Sequence, residues 1–144
     1  MTDSVSTSAV DNALNSVLGA LSSSLVQYTG ECGPWTPGED DAELAALDLF
    51  RRRQQLQIAR LVSLLGDHGA TIEMGRFPSE YTDLHFVSLE NLYPRMIANQ
   101  QDIVETIRKA GSPCHPDEAA ASLVKDALAE ERRTLTELET LAAD

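Results

Sequence analysis

Basic residues are scarce in this chain, and the scarcity removes whole classes of function. Only 11 Lys and Arg face 23 Asp and Glu over 144 residues, a formal net charge of −12. Phosphate backbones and anionic lipid both require a basic face, so neither a nucleic-acid partner nor membrane docking is expected. Long apolar runs are missing as well: nothing approaches the roughly 20 consecutive apolar residues that cross a bilayer. The start, MTDSVSTSAV, has no basic stretch followed by an apolar one, so it does not read as a signal peptide. A cytoplasmic location is the expectation. Two cysteines, Cys32 and Cys114, are too few for a disulfide framework. There is no Gly-rich phosphate loop, no Gly-x-Ser-x-Gly elbow and no zinc-protease helix motif. Arg51-Arg52-Arg53 does not make a phosphate site, because three consecutive helical residues cannot share a face. No catalytic residues are assigned, and the chain reads as leaning away from an enzyme.

What remains is helical periodicity. Val10, Leu14, Val17, Leu18, Leu21, Leu25 and Tyr28 form one amphipathic stripe, behind a Ser/Thr-rich start (1–7) expected to be disordered. A second helix opens at about Pro37 to Asp40, where Glu39, Asp40, Asp41 and Glu43 suit the positive end of its dipole. Gly66 and Gly69 are its natural stops. A third follows an N-cap at Thr82 or Asp83, and a fourth follows Pro116, Asp117 and Glu118. The spacing predicts helices over about 8–29, 40–66, 83–110 and 116–142 in one domain, 8–144. The fold class is all-α, an antiparallel up-down-up-down four-helix bundle. The longest connection, 66–82, carries Phe77 and Tyr81 and is expected to pack on the end of the bundle.

Three helices turn polar where the stripe calls for an apolar residue, at Gln54, Gln100 and Glu131. On antiparallel helices these fall near one height, with Ser24 the closest equivalent on the first helix. Arg51, one turn before Gln54, is the expected partner of the Glu131 carboxylate, which alone would be costly to bury. This mid-height pattern resembles the ferritin-like proteins, a group that includes rubrerythrins and bacterioferritins. The resemblance implies a carboxylate on each helix and Glu-x-x-His on two of them. The matching segments here are Gln54-Gln55-Leu56-Gln57 and Glu131-Arg132-Arg133-Thr134, with Gln100 at a lone-glutamate position. One of six expected ligands survives, so what the resemblance implies is the fold and not iron chemistry. Amides are neutral, weak ligands, whereas two irons need several carboxylates and imidazoles. The layer therefore reads as a hydrogen-bonded device that sets helix register, as a buried Asn does in coiled coils.

Two further groupings follow from the expected topology. Cys32, Cys114 and His115 would gather at one end, as a zinc or redox site. His68, Asp83 and His85 would meet at the other, beside the long connection, as a ligand site. No cofactor is the primary expectation, with iron or zinc the alternative. The expected role is a non-catalytic interaction or scaffold module with a protein partner or self-association. Leu49, Leu56, Val62 and Leu64 widen the apolar face of the second helix and suggest a homodimer. The competing reading is a metal-binding or redox protein.

Overall fold

The computed structural model describes residues 2–36 and 41–143. The chain is all-helical, with no strand among the described residues: α1 (Thr2–Ser22), α2 (Leu25–Cys32), α3 (Asp41–Asp67), α4 (Leu89–Cys114) and α5 (Glu118–Ala143), plus a 3₁₀ turn over Ser79–Leu84. The expected opening of the second helix at Pro37 to Asp40, with the acids Glu39 and Asp40, lies outside the described residues.

The single helix expected over 8–29 is two. Ser24 is extended (φ −67°, ψ 153°) and its hydroxyl accepts from Gln27 N–H, so it caps α2. The Leu25 N–H, which the break leaves free of α1, donates to Asn99 Oδ1 at 2.9 Å. The apolar stripe hides this break, because Leu21, Leu25 and Tyr28 stay buried on both sides of it. The helix expected from 83 starts instead at Leu89, capped by Ser88 rather than by Thr82 or Asp83. Phe86 has φ 59°, and the Leu89 N–H is taken by Trp35 O at 2.7 Å, so the chain cannot be helical there. That helix also runs past Gly111 and Pro113 to Cys114, whose burial beside Ala110 draws the last turn into the core.

The up-down-up-down order does not hold. His68, just past α3, reaches Asp11 near the start of α1 and Asp117 at the start of α5. The connection then travels the length of the molecule alongside α1. Asn15 Nδ2 donates to Thr71 O, Gly75 N–H donates to Ser22 Oγ, and Phe77 packs against Tyr28 with ring centroids 4.8 Å apart and planes tilted by 49°. It arrives beside α2, where Phe86 N–H donates to Cys32 O at 2.8 Å. So α3 and α4 run in the same direction, and residues 68–88 are a crossover, not an end loop. Gly75 lets it lie flat on α1: a Cβ there would collide with Gly19 O and stand 2.9 Å from Ser23 Cβ. Phe77 and Tyr81 do pack, but on Tyr28 at the pole opposite the one expected for the connection over 66–82.

Helix α1 packs on α3 and α4, and α5 packs on the same two. The interior divides into two apolar clusters. One joins Leu14, Leu18 and Leu21 to Leu61, Leu65, Ile107 and Val124, at the His68 pole. The other joins Leu25 and Tyr28 to Phe50, Leu92, Met96 and Leu138, at the Tyr28 pole.

Candidate functional site

Between those clusters lies a belt of buried polar residues: Ser24, Gln54, Gln57, Gln100, Glu131 and Thr134. α3, α4 and α5 contribute where their stripes turn polar, and Ser24 contributes from the break between α1 and α2. Ser24 Oγ–H donates to Gln54 Oε1 at 2.8 Å, and Gln27 Nε2–H donates to the same oxygen at 3.0 Å. Gln54 Nε2 passes the polarity on, donating to Glu131 Oε1 at 2.9 Å and to Gln100 Oε1 at 3.4 Å. Gln100 Nε2 donates to Glu131 Oε1 and to Glu131 O, both at 3.0 Å. The chain of bonds converges on one carboxyl oxygen.

The other carboxyl oxygen, Oε2, is buried with no hydrogen-bond partner, and so is Gln57 Oε1. Burial pushes the Glu131 carboxyl above the usual carboxylate range. Hydrogen bonds from Gln100 and Gln54 and the charge of Arg53 pull the other way, while Glu130 adds to the rise. A proton on Oε2 turns an unpaired acceptor into a donor and removes the charge from the core. Burial, the largest influence, favours the neutral form against the pull of the two amide hydrogen bonds.

Arg51 does not reach this carboxyl. Its guanidinium donates to Thr29 Oγ1 at 2.9 Å and lies 3.3 Å from Asp48. Arg53 is the arginine on the α5 side, pairing with Glu137 at 2.8 Å and touching Thr134 Oγ1 at 3.5 Å. Three residues at consecutive angles on α3 cannot all face inward, and the two that approach the core go to α2 and to α5. Gln57 and Thr134 are also buried in the layer, beyond the residues that the stripes alone mark. Their signal was present, since both occupy the i+3 positions where the ferritin-like pattern places histidine.

The two end groupings fail on topology. Cys32 belongs to the Tyr28 cluster and Cys114 to the opposite one, so they are at different poles. Both thiols are buried and held protonated: burial raises Cys32, and burial with the Asp117 and Asp11 charges raises Cys114 to about 11. Neither has the exposure or electropositive setting of a reactive thiol. His115 is exposed at the surface beside Cys114. His68 sits at the pole of Asp11 and Asp117, while Asp83 and His85 sit at the other, where His85 Nε2 and Tyr28 Oη are hydrogen-bonded at 2.8 Å. The crossover that separates 68 from 85 is the reason for both outcomes. Among the described residues no three His, Cys, Asp or Glu side chains are gathered as metal ligands would be. Comparison with protein-family models, with curated proteins and with solved structures finds no match to this chain.

Proposed function

We propose that this chain is a ferritin-like four-helix bundle, with α1 and α2 as one broken member, acting as a non-catalytic interaction module that self-associates. One long crossover, as over 68–88, is the connectivity that ferritin-like bundles have. The observation that carries the non-catalytic reading is that the belt spends its amide donors on its own carboxyl group. Both amide donors that face Glu131 are spent on it, and the mid-height positions offer one carboxylate and no imidazole. Such a belt sets register between helices whose apolar stripes alone would permit a one-turn slip. A reduced core metal site is the second reading, and the unpartnered oxygens of Gln57 and Glu131 are what favours it.

Self-association has its support on α3. Leu49 and Leu56 are exposed seven residues apart, on one line of the helix. Leu56 borders a cleft of about 320 Å³ between α3 and α5, whose walls include Arg53, Arg60, Asp126 and Glu130. That mixture of signs around a leucine is self-complementary under a two-fold axis. Val62 and Leu64 are instead partly buried against the core of the same chain. Leu56→Glu is expected to leave helicity intact and to change the unfolding free energy of the monomer by no more than about 0.5 kcal/mol, while shifting the light-scattering mass to monomer. A wild-type chain that is monomeric at high concentration would contradict this reading.

A further inference from the structure

Phe86 is held at a cost the fold does not explain. Its ring is 78% exposed, and its backbone sits at φ 59°, a conformation that a bulky non-glycine residue rarely adopts. Neither burial nor backbone preference favours phenylalanine there. Beside it Trp35 is 51% exposed, and its indole N–H donates to Phe86 O at 2.8 Å. The pair is braced by Phe86 N–H to Cys32 O at 2.8 Å and Leu89 N–H to Trp35 O at 2.7 Å. The Phe86 ring also lies over Gly33, 3.6 Å from where a Cβ would stand. Two large aromatic groups are thus exposed and already ordered, so a partner would lose little conformational freedom by docking on them.

The exposed side chains around the pair are mostly acidic, and Arg51, which donates to Thr29 Oγ1 at the end of α2, is itself paired with Asp48. Segments 25–50 and 77–94 contain no lysine or arginine. Glu31, Asp83 and Glu90 are exposed close in sequence to the aromatic residues and their anchors, with no ion pair among the described residues. The carboxyl end of α2, the negative pole of its dipole, points to the same place with no basic residue in its last turn. Aromatic faces in a negative field attract cations, and a guanidinium suits both because it is charged and stacks flat on a ring.

We propose that Trp35 and Phe86 form a docking site for an arginine-rich segment of a partner protein. This rests on the interaction-module reading and gives it a surface separate from the α3 face. Trp35 is the one tryptophan in the sequence, so its emission reports this site directly. Nona-arginine titrated into the full chain is expected to change that emission saturably. Phe86→Gly removes the ring and suits a positive φ, so it should melt no lower than wild type while weakening binding about fivefold. Phe86→Asn, which also tolerates this backbone, should behave alike. No saturable change with wild type, or equal affinity in both variants, would overturn the site. Light scattering on the same samples keeps the two ideas apart. A dimer without an emission response sinks only the aromatic site, and a monomer with one sinks only association through α3.

Discussion

Glu131→Gln is expected to be more stable than wild type at neutral pH, by on the order of 1–3 kcal/mol. Removing a carboxylate from a protein usually costs something, but here burial disfavours its charged form. The replacement amide keeps an acceptor for Gln54 and Gln100 and removes the buried charge that ionisation would create. The sign of the pH dependence follows from linkage. A carboxyl whose folded-state value is raised binds more protons folded than unfolded. It contributes fully below the unfolded value of about 4.3 and loses that contribution as pH rises through the raised folded value. The gap between variant and wild type should therefore be small in acid, widen from about pH 4.3 upward, and then level off. Other carboxylates slope the opposite way: Glu137, hydrogen-bonded to Arg53, is lowered, so both curves fall in strong acid. Taking the difference between the two proteins isolates Glu131. A gap that shrinks as pH rises would show that the folded protein stabilises the ionised form.

The second large effect comes from opening the belt at its centre. Gln54→Leu strips an acceptor from Ser24 and Gln27 and a donor from Glu131 and Gln100 at one stroke. Buried groups left unpaired cost about 1–3 kcal/mol each, and some will relax, so a loss on the order of 3 kcal/mol is expected. Replacing Gln54, Gln100 and Glu131 together by leucine should instead return to wild-type stability or exceed it, because no orphaned partner remains among those three. The strongly non-additive result identifies the residues as one network. Urea unfolding of the single and triple variants measures it. A triple variant as unstable as the summed singles would mean that the belt stabilises in its own right.

The belt was legible in the sequence because burial makes an amide conspicuous at a stripe position. Gln54, Gln100 and Glu131 interrupt apolar repeats on three helices, and that interruption survives any choice of topology. The chain direction through 68–88 was not legible. Nothing in Thr71 to Arg76 distinguishes an extended crossover from a long end loop until Gly75 is seen against Gly19. That single ambiguity displaced both end groupings, bringing Cys32 and Cys114 together on paper and setting them at opposite poles in the molecule. The break at Ser24 had a signal in the run Ser22-Ser23-Ser24, a capping composition masked by an unbroken apolar stripe. Which arginine would turn toward Glu131 depended on rotations of α3 too small for periodicity to resolve. The exposure of Phe86 had no sequence signal at all, since it falls on the apolar stripe of the helix expected over 83–110 and reads there as core.

Elemental analysis of untagged protein expressed with added iron, zinc and manganese tests the non-catalytic reading of the belt most directly. The expected result is a fully helical protein carrying far less than one metal ion per chain, with the same value for Glu131→Gln. Iron or manganese near one per chain, lost in Glu131→Gln, would contradict it and make the unpartnered oxygens of Gln57 and Glu131 part of a working centre.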